Sequence, residues 1–214
     1  MKKLIATFIL LILFAACEPK NDTNIEDAYT IGPTAVVIGD SLTNSGRTQL
    51  HYQLGVHFSS KIAAIPGATY GGMTGYAEDY MMEGPTVAVI ALGTNDRNTQ
   101  WVLDDSLLSL NTMYDMYEGM SCTVGVTITT DDVKPELNAK AIALNENMRA
   151  RADAVADWDA IDREPGMTQA DGVHATAEGY AKRAEIIGDA VESCGENPHV
   201  PPTTTTTTLI PEGP

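Results

Sequence analysis

Five residues, drawn from four separate stretches of this 214-residue chain, are of types that together could run acyl chemistry: Ser41, Gly67, Asn95, Asp171 and His174. Ser41 carries a hydroxyl that could attack an acyl carbonyl. His174 could take its proton and later hand it to the leaving group. Asp171, three residues earlier, could fix the imidazole tautomer and stabilise its charged form. The negative oxygen of a tetrahedral intermediate needs donors set in advance, and the backbone N–H groups of Ser41 and Gly67 with the side-chain amide of Asn95 could supply three. Glycine suits that place because its backbone comes close with no Cβ in the way; Gly71 and Gly72 are the alternatives nearby. Plainer readings exist for each. A serine just past a strand is commonly a helix N-cap, and Asn95 or Asp96 could cap the helix that follows.

The chemistry depends on whether the chain brings these stretches together. Ala35 to Gly39 begins with an apolar run, Ala-Val-Val-Ile, that reads as a strand buried on both faces, and it stops at Gly39-Asp40-Ser41. Leu42 to Phe58 carries a helical pattern through Leu50, Leu54 and Phe58. Lys61 to Ile65 is a second strand, ended by Pro66-Gly67. Gly67 to Gly75 is rich in glycine and reads as a loop, followed by a short helix over Tyr76 to Met82 and a stop at Gly84-Pro85. Thr86 to Leu92 is the strongest strand signal and runs into Gly93-Thr94-Asn95-Asp96. Trp101 to Tyr117 predicts a helix, Cys122 to Thr129 a strand, and Pro135 opens a helix from Glu136 to about Asp153. Val155 to Trp158 is a fifth strand, Thr168 to Val173 a loop, and Thr176 to Val191 the last helix, with Thr176 as its N-cap. Five strands alternating with helices predict an α/β fold, a three-layer α/β/α sandwich with a flavodoxin-like five-stranded parallel sheet. The four site stretches would leave its carboxyl-end pole or lie close to it.

Gly39-Asp40-Ser41-Leu42, Gly93-Thr94-Asn95-Asp96 and Asp171-Gly172-Val173-His174 resemble three of the four signature blocks of the SGNH, or GDSL, hydrolase superfamily, in the family's order. Gly67 in Ile65-Pro66-Gly67-Ala68 would be the glycine of the remaining block, with Pro66 where many members have further Gly or Ser. The resemblance covers about Thr34 to Ala190. It implies an SGNH hydrolase fold and esterase or acyl-transfer chemistry with no metal or organic cofactor. The catalytic residues would be Ser41, Asp171 and His174, and the oxyanion hole Ser41, Gly67 and Asn95. No Gly-x-Ser-x-Gly elbow surrounds Ser41, which argues against the larger α/β-hydrolase fold. Trp158 after the fifth strand, and Leu144-Asn145 and Met148-Arg149 before it, resemble an exported actinobacterial branch. Some of those domains are fused to membrane acyltransferases and handle O-acetyl groups on cell-envelope sugars. The expectation is a serine esterase for short acyl esters, O-acetyl carbohydrates among them, so the partner would be a small-molecule or glycan ester. An O-acetyltransferase or a lipase- or lysophospholipase-like esterase on the same triad is the alternative. A non-catalytic envelope-binding lipoprotein is a more distant one.

Composition narrows the partners. The formal charge is −16, with 43% hydrophobic and 20% charged residues, which fits a folded soluble domain and excludes nucleic acid as a partner. Lys2-Lys3, an apolar run from Leu4 to Phe14 and Ala15-Ala16-Cys17 read as a signal peptide over residues 1–17, too short to span a bilayer comfortably. Its end resembles a bacterial lipoprotein signal with Cys17 as the lipidated residue, although Phe14 stands where leucine is usual; plain secretion and an uncleaved anchor are the alternatives. Residues 18–32 read as a polar tether, 33–195 as the hydrolase domain and 196–214, with six consecutive threonines, as a flexible tail. The expected location is the bacterial cell envelope or the exterior.

Cys122 and Cys194 remain once Cys17 is set aside. Helices in such a fold run antiparallel to the strands, so the start of the fourth strand and the end of the last helix share a pole. A disulfide is sterically plausible there, and two separate buried thiols are the alternative. The other candidates read as bland. His51 and His57 do not share a helix face, and His199 falls in the tail. Asp104-Asp105 and Asp131-Asp132 read as solvated acids without the spacing of a calcium loop. Met113, Met116 and Met120 read as a packing face. Arg47 and Tyr70 fit a pocket wall or a surface equally well.

Overall fold

The computed structural model describes residues 33–98, 100, 102–130 and 134–195. The signal segment with Cys17, the tether, the threonine-rich tail with His199, and Trp101, Asp131 and Asp132 lie outside the described residues.

Five parallel strands, β1 (Thr34–Gly39), β2 (Ser59–Ala64), β3 (Val87–Ala91), β4 (Cys122–Val126) and β5 (Ala154–Ala156), form one sheet in the order β2-β1-β3-β4-β5. Alternate residues of the apolar runs point to opposite faces. Ala35, Val37, Val87, Val89 and Val124 join one core cluster, and Val36, Ile38, Ala88 and Ile90 join the other. That double burial is why these strands read as unbroken apolar runs. Helices α1 (Ser41–Ser45), α2 (Arg47–Leu54) and α7 (Ala177–Gly195) cover the first face, and α3 (Tyr70–Met81), α4 (Leu103–Tyr117) and α5 (Pro135–Arg151) the second. The chain leaves β1 for β2 on one side and returns to β3 on the other. The carboxyl end of β1, where Ser41 follows, is therefore the switch point at which open α/β sheets build their sites.

Three segments differ from the sequence reading. The helix expected over Leu42 to Phe58 is two helices broken at Gly46, which is buried against α7: a Cβ there would sit 3.0 Å from the Tyr180 ring. The loop expected over Gly67 to Gly75 becomes helical at Tyr70. Thr69 caps it, its Oγ1 accepting the Gly72 N–H at 3.2 Å, and Tyr70, Met73 and Ala77 bury one face. Burial at helical spacing outweighs the low helix propensity of Gly71, Gly72 and Gly75. Trp158 does not close the fifth strand but opens a one-turn helix, α6 (Trp158–Ile161), whose indole is buried.

Cys122 at the start of β4 and Cys194 near the end of α7 form a disulfide, Cα–Cα 5.7 Å, at the pole opposite Ser41.

Candidate active site

Ser41 is the first residue of α1. It is not that helix's cap: Asp40 takes the role, its Oδ1 accepting the Leu42 N–H at 3.0 Å. The Ser41 hydroxyl is thereby left free of capping, and its Oγ lies 3.2 Å from His174 Nε2.

His174 arrives on a loop built to hold it. Thr168 and Ala175 form an antiparallel bridge, and the His174 carbonyl accepts the Gln169 N–H at 2.7 Å. Gly172, at φ +70°, makes the turn inside that clasp. Asp171 uses both oxygens: Oδ1 accepts the backbone N–H groups of Val173 (3.0 Å) and His174 (2.9 Å), and Oδ2 faces His174 Nδ1 at 2.8 Å. The ring hydrogen bond from His174, then these two backbone donors, hold the Asp171 carboxyl down at about 2. With Nδ1 on the carboxylate, the imidazole presents Nε2 to the serine as an acceptor. The two side chains stay 38% and 48% exposed, so the site is open to a bulky alcohol group.

The two remaining blocks meet beside Ser41. The Ile65 N–H bonds to the Gly39 carbonyl at 3.1 Å, which carries the β1–β2 register past the strand end and brings Pro66-Gly67-Ala68 alongside the serine. Gly67 lies in this loop at φ +80°, while Gly71 and Gly72 sit in the first turn of α3. Neither Asn95 nor Asp96 caps the helix after β3. Asn95 Nδ2 donates to the Ala68 carbonyl at 2.9 Å, and its amide has a second hydrogen to offer. Asp96 receives the Tyr70 N–H, at 3.3 Å on Oδ1 and 3.2 Å on Oδ2. Burial pushes its carboxyl up to about 6, against the Tyr70 N–H and the Ser106 hydroxyl, which pull it down. Both residues thus strap the loop carrying Gly67 to the end of β3.

Gly93 sets that end. It stands at φ +112°, and a Cβ on it would meet Tyr70 Oη at 2.8 Å and Ile128 Cγ2 at 3.3 Å. Gly93→Ala is expected to cost about 1–3 kcal/mol of stability from backbone strain, since an L side chain rarely adopts this conformation. It should also lower kcat more than it raises KM, because Asn95 is two residues on. Urea unfolding and steady-state kinetics on one sample check both.

The other sequence candidates lie elsewhere. Arg47 Nη1 donates to the Ile62 carbonyl at 2.9 Å, and Tyr70 is fully buried with its hydroxyl on the Leu92 carbonyl, so neither lines the site. His51 meets Ser60 at 2.8 Å and His57 lies 3.7 Å from Glu192; both histidines are exposed and away from Ser41. Met113 is buried in the core, whereas Met120 is exposed beyond α4. Among the described residues no group of His, Cys, Asp and Glu could hold a metal ion. Sequence reasoning missed Arg183, which is buried under α1. The signal was an arginine at the apolar spacing of Tyr180, Ala184, Ile187 and Val191.

Residues 37–182 match the family model described as GDSL-like Lipase/Acylhydrolase. No curated protein matches the chain in sequence. Solved structures share its fold. TesA superposes with TM-score 0.64 at 18% identity over 75% of this chain and 99% of that one. The C-terminal catalytic domain of Streptococcus pneumoniae peptidoglycan O-acetyltransferase A, with a methylsulfonyl adduct, gives TM-score 0.62 at 22% identity over 78% and 97%. The psychrotrophic esterase EstA from Pseudoalteromonas sp., inhibited by monoethylphosphonate, gives 0.61 at 16% over 77% and 99%.

Proposed function

Because the chain belongs to the GDSL-like lipase/acylhydrolase family, a family of carboxylic ester hydrolases, we propose that it cleaves short-chain acyl esters, O-acetyl groups on carbohydrates first among them, through an acyl-enzyme on Ser41. One observation carries the reading: Ser41 Oγ, His174 and Asp171 stand in a chain of contacts at 3.2 and 2.8 Å, in the order a serine nucleophile needs. His174 Nε2 takes the Ser41 proton as Oγ attacks the carbonyl carbon. The oxyanion meets the N–H groups of Ser41 and Gly67 and the second Asn95 amide hydrogen. His174 then returns the proton to the departing alcohol oxygen, activates water on the acyl-enzyme, and the carboxylic acid leaves.

The sugar-ester reading draws on the exposure of His174 and Asp171, which suits a polymer-borne ester, and on the likeness to a peptidoglycan O-acetyltransferase domain. That likeness also favours a second reading, transfer of the acyl group to a sugar hydroxyl in place of water. The Cys122–Cys194 disulfide suits an oxidising compartment and so supports export, with Cys17 as the tether.

A series of p-nitrophenyl esters from acetate to palmitate tests the proposal. Acetate and butyrate should give the highest kcat/KM, with a fall of roughly tenfold or more by octanoate. A maximum at long chains would replace the reading with a lipase-like one. Acylated sugar in place of free acid, when acceptors are added, would favour transfer.

A further inference from the structure

Two opposite charges are buried beneath the first turn of α1. Arg183, on the inner face of α7, is 5% exposed, and its Nη1 approaches Thr43 Oγ1 at 3.5 Å. Asp40 is 1% exposed and directly precedes Ser41. Its Oδ1 caps α1 through the Leu42 N–H, while the Arg183 Nε has no direct hydrogen-bond partner among the described residues. A guanidinium this deep is strongly unfavourable unless a nearby charge compensates it. Asp40 is the carboxylate whose charge acts on it, and the action is mutual.

We propose that Arg183 is a positioning residue for the nucleophile: its buried guanidinium reaches Thr43, its charge opposes that of the Asp40 carboxylate buried beneath the same turn, and the two together fix the first turn of α1 so that Ser41 faces His174. The proposal rests on Ser41 being the nucleophile. A carboxylate is a stronger cap than a neutral acid, because it meets both the N–H donor and the positive end of the helix. Burial drives the Asp40 carboxyl up; the Arg183 charge, then the Leu42 N–H and the Thr94 hydroxyl, pull it down. The other titratable groups that bear on the pair are Asp96 and Tyr70, on the Asp40 side, and Tyr180, beside Arg183 on α7. Asp40 pushes the Asp96 carboxyl up, and Arg183 is the cation whose charge acts on Asp40. Arg183 also stands on the helix that follows His174, so the pair ties the serine half of the triad to the histidine half.

Four full-chain variants test this: Arg183→Met, Arg183→Lys, Asp40→Asn and the double Arg183→Met/Asp40→Asn. The readouts are kcat and KM on p-nitrophenyl acetate and the melting temperature, each followed from about pH 5 to about pH 8. Arg183→Met should lower kcat roughly tenfold with KM little changed, and its acid limb should move to higher pH, because the Asp40 carboxyl loses the charge that pulls it down and burial pushes it further up. Its melting temperature should fall relative to wild type as pH rises, since a carboxyl with a raised folded-state pKa stabilises below that pKa and not above it. Arg183→Lys should keep the wild-type pH profile. In the double variant neither charge is buried, so the wild-type acid limb and the wild-type pH dependence of melting should return and kcat should recover to within about threefold of wild type. Additive losses in the double variant, or an unmoved pH profile in Arg183→Met, overturn the proposal. If Arg183→Met does not fold, rescue of folding by Asp40→Asn supports it and failure of rescue overturns it. Wild-type turnover that disappears in Ser41→Ala secures the underlying reading separately, and the pH dependence of melting reads the pair even in an inactive protein.

Discussion

Ser41→Ala is expected to lower kcat/KM on p-nitrophenyl acetate by on the order of 10⁴-fold or more and to leave the melting temperature unchanged. The two halves of that expectation have separate grounds. The loss follows from removing the atom placed to attack, Oγ at 3.2 Å from His174 Nε2. The unchanged stability follows because Asp40, not Ser41, caps α1. His174→Ala should cost about as much, and the double variant little more than either single, since serine and histidine act as one unit. Asp171→Asn should lower kcat with little change in KM, because it leaves an amide where His174 Nδ1 needs an anion. The pH dependence has a definite sign. Asp171 is held down at about 2 by the His174 ring and the Val173 and His174 N–H groups, so it is an anion throughout the neutral and mildly acidic range. Activity lost on acidification is therefore not Asp171 taking a proton; Asp96, which burial pushes up to about 6, does take one in that range. An enzyme that keeps kcat/KM within tenfold after Ser41→Ala would remove the serine mechanism altogether.

What the sequence made legible follows a physical pattern. The strands were readable because both faces of the sheet are covered, which leaves Ala35 to Ile38 and Val87 to Ala91 no polar alternation to blur them. Ser41, Asp171 and His174 could be singled out because the proposed chemistry demands those residue types, and Asp171 and His174 lie on one short turn. The segment from Tyr70 to Gly75 was not: three glycines signal a loop locally, while the burial of Tyr70 and Met73 that decides the matter is a tertiary fact. The break at Gly46 was hidden for the same reason, since it depends on Tyr180 from the far end of the chain. Asp96 read simply as structural. Only the structure reveals that its partner is the Tyr70 N–H, 26 positions away, and that it braces the loop bearing Gly67. Arg183 shows the limit most clearly. Its position in an apolar stripe was visible, but the buried carboxylate whose charge acts on it caps a different helix.

Reducing the Cys122–Cys194 bond, or replacing both cysteines by alanine, is expected to cost about 4 kcal/mol of stability, because the bond closes a loop of 72 residues that the unfolded chain would otherwise leave free. For a domain of this size that corresponds to a melting temperature lower by about 8–16 °C. The effect on catalysis should differ in kind. Cys122 begins β4 and Cys194 lies in the last turn of α7, so the bond lies at the pole of the sheet away from Ser41 and from the residues that hold His174. The folded enzyme without the bond should keep kcat/KM within about twofold, and the loss should appear only as unfolding at lower temperature or denaturant. The closed loop contains β5, α6 and the Asp171–His174 turn, and so includes the histidine half of the triad but not the serine half. Cutting it frees the unfolded state and leaves the folded contacts of Asp171 and His174 intact. Differential scanning calorimetry beside esterase assays at about 25 °C, with and without reductant, separates the two. A stability loss under about 1 kcal/mol would mean that the loop is already compact in the unfolded chain. A large fall in kcat/KM at unchanged folding would mean that α7 transmits the bond to His174.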